Sequence, residues 1–186
     1  MNVHNYLPKT IFSFLLLICF ALNSHGQTKE LGIRMTGLQN FDFIYKKEKA
    51  PNKFSRIRLG LANISFANIN DENVANLALG IAMGSERRKA INEKLNFYQG
   101  PEPFANLALN VVADNTLFTV QGGLGYVLGF QYNFSEVFYV SAETIPSVGV
   151  TFSSGENLDP SLGISAGFNS NAVALTLAYR ILGNSK

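Results

Sequence analysis

From Phe118 to Phe134 the chain alternates between apolar residues and small or neutral polar residues. A period of two is typical of a β-strand whose two faces meet different surroundings. At about 3.3 Å per residue the segment predicts a strand of roughly 50 Å, whereas strands of soluble sheets usually have about 5–6 residues. The apolar face contains Phe118, Val120, Gly122, Leu124, Tyr126, Leu128, Phe130, Tyr132 and Phe134.

The same alternation recurs along the chain after its first segment. It predicts eight strands, at 31–37, 39–47, 54–66, 74–89, 95–111, 117–133, 137–153 and 161–182. Pro101 and Pro103 predict an irregular stretch in the fifth strand, since proline cannot donate to a neighbouring strand. Asn169-Ser170-Asn171 is a possible interruption, or a turn, in the eighth. The even strand number and about 20 residues per strand and connection are typical of the smallest transmembrane barrels.

The side on which the apolar face lies separates two classes of protein. Inward-facing apolar residues would give a soluble barrel such as a lipocalin, or a sandwich. In mid-strand, however, the other face consists of Gly, Ala, Asn, Gln, Ser and Thr, not of the charged residues that a soluble surface carries. We therefore predict an all-β, eight-stranded antiparallel up-and-down transmembrane barrel whose apolar face meets lipid.

Aromatic and basic residues lie towards one end of the predicted barrel, and acidic residues lie towards the other. The turns after strands two, four and six and the C-terminus share one end, which is periplasmic in barrels of this type. Aromatic residues at one rim predict an interfacial girdle. They are Tyr45, Phe54, Phe97, Phe130, Phe134, Phe138 and Tyr179. The same end carries Lys46, Lys47, Lys49, Lys53, Arg87, Arg88, Lys89 and Lys94, and the opposite loops carry Asp71, Glu72, Asp114, Glu156 and Asp159.

The first 26 residues have the pattern of a cleaved secretory signal peptide. Lys9 precedes an apolar run at 11–22, and the small residues Ser24 and Gly26 precede Gln27. The apolar run is shorter than the roughly 20 residues that a transmembrane helix needs. An uncleaved anchor is the alternative. We expect a signal peptide at 1–26 and a barrel domain at 27–186.

Loss of the signal peptide removes Cys19, His4 and His25, so the mature chain contains neither cysteine nor histidine. This excludes disulfides, thiolate zinc sites and the nucleophile systems that depend on histidine. Catalysis by carboxylates, lysine or tyrosine remains open, but no motif indicates it. Lys9 is one of 15 Lys and Arg residues, which leaves 14 against 13 acidic ones and gives no sign of nucleic-acid binding. We predict a protein that is not an enzyme and has no catalytic residues, cofactor or metal.

Strand parity places a set of charged residues on the inner face. They are Arg34, Arg56, Arg58, Glu86, Glu102, Glu143 and Arg180. Buried charges are costly unless they are paired, and arginine forks suit carboxylates well. The expected role is structural, as a network of salt bridges that closes the lumen. The alternative is a proton or cation path, or an acid–base pair, formed by Glu86, Glu102 and Glu143.

Five segments resemble the outer-membrane β-barrel domain family that is common in Bacteroidota. They are 41–47 (FDFIYKK), 57–61 (IRLGL), 79–88 (LGIAMGSERR), 96–102 (NFYQGPE) and 129–143 (GFQYNFSEVFYVSAE). The resemblance covers nearly the whole mature chain and implies an eight-stranded barrel without implying an activity. The chain departs from the family's frequent aromatic ending, because Gly183-Asn184-Ser185-Lys186 follow Leu182.

These patterns lead to three hypotheses of function. The first is a closed barrel of the cell outer membrane that is structural or contacts surface partners through loops at about 66–74, 112–116 and 153–160. The second is a narrow, porin-like channel for small solutes or ions. The third is a soluble, lipocalin-like ligand-binding barrel. The expected partners are outer-membrane lipid and the barrel-insertion machinery, and the sequence names no surface partner.

Overall fold

The computed structural model describes residues 27–36, 41–69, 72–112, 115–156, 158–168 and 173–183, and the side chains of these except 61–69, 72, 73, 112 and 158. The predicted signal peptide lies outside the described residues. The residues from Thr28 to Leu182 form one compact unit.

The described residues form ten β-strands in this unit. They are β1 (Lys29–Met35), β2 (Phe41–Ala50), β3 (Lys53–Ile69), β4 (Glu72–Ala90), β5 (Leu95–Val112), β6 (Asn115–Asn133), β7 (Phe138–Thr144), β8 (Ser147–Gly155), β9 (Leu158–Gly167) and β10 (Ala174–Ile181). The end of the barrel where β1 begins and β10 ends is called the lower end below.

All pairings between these strands are antiparallel, and they close a barrel. β1 to β6 pair in chain order, and β10 pairs with β1. The lower half of β6 pairs with β7 and its upper half with β8; β7 in turn pairs with β10, and β8 with β9. β7 and β8 are thus two halves of a seventh barrel strand, and β9 and β10 are halves of an eighth. The predicted eight-stranded antiparallel barrel is confirmed.

The last two barrel strands are interrupted, so the continuous strand predicted at 137–153 was wrong, whereas an interruption of the eighth strand had been left open. Ile145 and Pro146 separate β7 from β8, and the ring of Pro146 removes the N–H that a continuous strand would use. β9 ends at Gly167, whose φ of 138° lies where only glycine is unstrained. The interruption expected near Asn169 falls between β9 and β10, at residues outside the described part.

The pairings also fix the stagger of the strands. A path of paired residues leaves β5 at Leu95, crosses β6, β7, β10, β1, β2, β3 and β4, and returns to β5 at Ala105. The return point is ten residues further along the strand. Such a stagger requires strands tilted by roughly 35–45°, and eight strands leave an interior just wide enough for side chains.

The apolar face points outward, as predicted. Leu124 and Leu177 are 51% and 59% exposed on the outer surface, whereas Gln131 and Thr176 are 0% and 3% exposed. The opposite arrangement would have given an apolar core inside a soluble barrel. The inner surface is therefore polar, and the outer surface is the hydrophobic one.

The upper hairpins are longer than predicted. β3 continues to Ile69, β4 begins at Glu72, and β5 and β6 extend to Val112 and Asn115. The loops predicted at 66–74, 112–116 and 153–160 are consequently mostly strand. The β1–β2 hairpin is much shorter, so the segment 62–69 of β3 has β4 as its only described neighbour. Among the described residues, β9 likewise pairs only with β8.

The irregular stretch expected at the two prolines of β5 is found on one side only. Pairing of β5 with β4 stops at Phe104 and resumes at Gln99, so that Pro101 and Pro103 lie in the gap. Pairing with β6 is continuous through both prolines. The missing proline N–H groups are thus accommodated on the side that faces β4.

Candidate functional site: the charged barrel interior

Eleven charged side chains from seven strands meet inside the lower half of the barrel. They face inward because each alternates with an outward-facing residue along its strand. We call this set the lumen charge cluster. It consists of Glu30, Arg34, Asp42, Lys46, Arg56, Arg58, Glu86, Arg88, Glu102, Glu143 and Arg180.

The upper part of the cluster is a closed ring in which three arginines alternate with three carboxylates. Arg34 contacts Asp42 at 2.7 Å and Glu143 at 2.6 Å. Arg56 contacts Glu143 at 3.0 Å and Glu102 at 2.7 Å. Arg58 contacts Glu102 at 3.0 Å and Asp42 at 3.1 Å, which completes the ring. The ring is electrically neutral and joins β1, β2, β3, β5 and β7 across the lumen.

Arg56 links this ring to the lower part of the cluster. It also lies 3.5 Å from Glu86, so that one fully buried guanidinium faces three carboxylates. Two of its nitrogens donate to the two oxygens of Glu143, each at 3.0 Å. Its Nε meets Glu102 as an ion pair without the geometry of an aligned hydrogen bond. The planar fork of arginine suits this role, since it offers five donors in fixed directions.

The lower part of the cluster continues to the end of the barrel. Glu86 contacts Lys46 at 2.9 Å and Arg88 at 2.6 Å. Arg88 also contacts Glu30 at 2.6 Å, and Glu30 contacts Arg180 at 3.1 Å. A continuous series of ion pairs therefore connects β10 and β1 with β4, β2 and β3.

Two tyrosines complete the hydrogen bonding of the carboxylates. Tyr98 donates to Glu143 at 2.9 Å, and Tyr139 donates to Glu30 at 2.7 Å. Glycine makes room for the first of them, because a Cβ on Gly129 would lie 2.6 Å from the Tyr98 hydroxyl oxygen. The Lys46 ammonium lies 4.7 Å from the centre of the Tyr98 ring, within the range of a cation–π contact.

Aromatic rings bound the cluster below and above. The ring centre of Phe54 lies 3.7 Å from the guanidinium carbon of Arg88, so Phe54 faces the lumen and the prediction that it belongs to the outer girdle was wrong. It precedes inward-facing Arg56 by two residues, which gives it the same parity. Above the cluster, the ring of Phe104 lies 2.7 Å from where a Cβ on Gly123 would stand.

All seven residues predicted from parity lie in the lumen charge cluster. The four others, Glu30, Asp42, Lys46 and Arg88, were not among the predicted site residues. Parity could have found Asp42 and Arg88, since Asp42 alternates with outward Phe41 and Phe43 and Arg88 follows Glu86 by two. Lys46 and Arg88 had been grouped instead with the basic residues near the lower turns.

A row of three buried polar side chains lies beside the cluster. Gln131, Ser141 and Thr176 are neighbours across β6, β7 and β10. Gln131 Oε1, Ser141 Oγ and Thr176 Oγ1 are buried without a hydrogen-bond partner among the described residues. Such a polar row is suited to ordered water, which typically satisfies buried polar groups.

The upper half of the lumen has a different chemistry. Its inner face is lined by neutral polar side chains: Asn106 donates to Gln121 at 3.0 Å, and Thr119 lies 3.1 Å from Ser153. Asn106 is exposed, so solvent enters from this end. The charges are therefore concentrated in the lower half.

The carboxylates of the cluster are held by cations. Glu86, Glu102 and Glu143 each contact two or three cationic side chains. A general acid or base needs access to a substrate proton, and these groups already have charged partners.

In the described part of the chain, no group of three His, Cys, Asp or Glu residues is arranged to hold a metal ion. A search of the described residues for an apolar helix of membrane-spanning length finds none.

On the outer surface, aromatic rings pack in pairs at the lower end. The ring centres of Phe97 and Phe130 are 5.4 Å apart, and those of Phe138 and Tyr179 are 5.0 Å apart. Tyr132 and Phe134 form a third pair at 5.3 Å. We call these six residues the aromatic girdle; they belong to β5, β6, β7 and β10 and to the turn after β6.

The barrel is similar to two solved structures of outer-membrane proteins. A major outer-membrane protein from Thermus thermophilus superposes with a TM-score of 0.57 at 10% identity, over 84% of this chain and all of that one. The N-terminal β-barrel domain of Pseudomonas aeruginosa OprF gives 0.53 at 8% identity, over 83% and 96% of the two chains. No family model and no curated protein matches the sequence. At such identities the comparison establishes the fold of an outer-membrane barrel.

Proposed function

We propose that this protein is an integral outer-membrane β-barrel whose lumen is closed by the lumen charge cluster, and that it acts structurally or through its upper hairpins. The fold and the hydrophobic outer surface support the membrane location. The absence of histidine and cysteine after residue 26 supports a role without catalysis.

The single observation that carries the closed lumen is the neutral ring of six charged side chains. It joins five strands across an interior that is only wide enough for side chains. Arg56 and Glu143, which stand in opposite parts of the barrel wall, bond directly to each other. An ion crossing the lumen would have to separate pairs that are buried and hydrogen-bonded, which is costly.

The soluble ligand-binding alternative has little support. Its ligand would need an apolar interior, whereas the buried interior holds ion pairs and the large apolar side chains are outside. An exposed apolar surface of this extent indicates contact with a membrane or a protein. The repeated outward rows on all strands favour the membrane.

Conductance in planar bilayers tests the closed lumen. We expect no reproducible unit conductance from the wild-type barrel. The double variant Arg56→Ser/Glu143→Ser removes two buried side chains that bond to each other across the lumen while keeping the ring neutral, and it should conduct. A wild-type conductance that changes in Glu102→Gln would instead establish a narrow channel.

Membrane insertion and orientation need separate tests. A closed barrel should migrate differently on detergent gels before and after boiling, and should sediment with the outer membrane. An epitope inserted after Asn70, between β3 and β4, should be labelled on intact cells. The same epitope after Glu93, in a lower turn, should be labelled only after permeabilisation. Reversed labelling would contradict surface exposure of the upper hairpins.

A further inference from the structure

The lower rim of the barrel has two chemically different sides. The aromatic girdle occupies the side formed by β5, β6, β7 and β10. On the side formed by β2, β3 and β4, the exposed charged residues at the lower ends of the strands are basic. We call Lys49, Lys53, Arg87 and Lys89 the rim basic cluster.

The outward direction of this cluster follows from strand parity. Phe54 and Arg88 face the lumen, so their neighbours Lys53, Arg87 and Lys89 face outward. Lys53 pairs with Arg87 across β3 and β4, and Lys89 pairs with the girdle residue Phe97 across β4 and β5. The basic cluster therefore continues the girdle around the same rim.

These cations have no ion-pair partner within the described part of the chain. Among the described residues, none of the four forms an ion pair, and all four side chains are exposed. Glu86, the carboxylate next to Arg87 in the chain, is inside the lumen with Lys46 and Arg88. Like charges directly opposite each other in a sheet are destabilising. The Lys53–Arg87 pair is therefore a position where an anion from outside the protein would be favourable.

The distance from the apolar surface identifies the kind of anion. Tyr45, Ile57 and Met83 form an outward row across β2, β3 and β4. The Lys53–Arg87 pair lies four residues further down, which is about 13 Å along the strands. Because Lys89 pairs with the girdle residue Phe97, the cations share the level of the aromatic girdle, which in membrane proteins lies at the lipid headgroups.

We propose that the rim basic cluster binds the phosphate groups of anionic phospholipids in the lower leaflet, so that this side of the barrel carries its own selected lipids. The inference rests on the proposed membrane insertion. Charge is supplied by four side chains on three neighbouring strands, and Phe97 offers an apolar neighbour for the acyl chains. Lipid is favoured over a soluble anion because the cations adjoin the hydrocarbon-facing surface.

Electron paramagnetic resonance of spin-labelled lipids tests the proposal in vesicles that contain the folded barrel. The fraction of immobilised phosphatidylglycerol is compared with that of phosphatidylcholine. The wild type should prefer phosphatidylglycerol, and the preference should fall as salt increases. An exposed cation near an anionic membrane surface changes affinity by about fivefold. The variant Lys53→Gln/Arg87→Gln should therefore lose at least about fivefold of the preference.

The variant Lys53→Arg/Arg87→Lys is the matched control, because it exchanges the two side chains and keeps both charges. It should retain the wild-type preference. Equal preference in the glutamine variant and the wild type would overturn the proposal, since the charges would then not be responsible. A different result would contradict membrane insertion itself: neither the wild type nor any variant folds in vesicles. In that case heated and unheated samples would have the same mobility on gels.

Discussion

Replacement of Arg56 by glutamine is the most direct perturbation of the lumen charge cluster. Arg56 is fully buried and faces Glu86, Glu102 and Glu143. Removing one partner of a buried ion pair typically costs about 3–5 kcal/mol, because the remaining charge stays buried. Each of the three carboxylates keeps another cation, so we expect a loss near about 3 kcal/mol, the lower end of that range.

Urea titration of the folded barrel in detergent micelles measures this loss, with the folded fraction read from unheated gels. About 3 kcal/mol corresponds to roughly a hundredfold change in the folding equilibrium constant. The slope of the free energy of unfolding against urea concentration should stay the same, because it reports the surface exposed on unfolding. Arg58→Gln is the control within the same ring: its side chain is 21% exposed, so water can replace part of its contacts and the loss should be smaller.

The double variant Arg56→Gln/Glu143→Gln distinguishes pairing from simple loss of volume. If the two residues stabilise the barrel through their mutual bonds, the double variant should lose less than the sum of the single variants, with coupling in the range of about 0.5–3 kcal/mol. An Arg56→Gln barrel within about 1 kcal/mol of the wild type, or additive effects in the double variant, would refute the reasoning.

Three further predictions concern packing and pairing. Gly129→Ala should lower the free energy of unfolding by about 1–3 kcal/mol, because the new Cβ would clash with the Tyr98 hydroxyl. Gly122→Ala should be neutral, because the nearest atom to its new Cβ is 3.9 Å away. Thr176→Val should leave the free energy of unfolding in urea unchanged or raise it, because Oγ1 has no hydrogen-bond partner among the described residues. A loss above about 1 kcal/mol would reveal a bound water. Amides of β9 should exchange hydrogen faster than those of β6, which pairs on both sides, and equal protection would reveal a second neighbour of β9.

The sequence by itself determined the fold and the direction of most side chains. Alternation from Phe118 to Phe134 separates lipid-facing from inward-facing residues one at a time, because a strand turns successive side chains to opposite sides. The same parity placed Arg56, Glu102 and Glu143 inside before any contact was known. Both inferences depend only on neighbours in the chain, which is why they could be made without coordinates.

Only the tertiary structure decided which charges meet. Arg56 and Glu143 are 87 residues apart in the chain, and their contact depends on the ten-residue stagger that sets their relative heights across the lumen. The breaks in the last two barrel strands and the direction of Phe54 at the end of β3 also depend on neighbouring strands. Parity assigns a residue to a face, but height and partner are set by the tilt and closure of the whole barrel, and no local pattern records them.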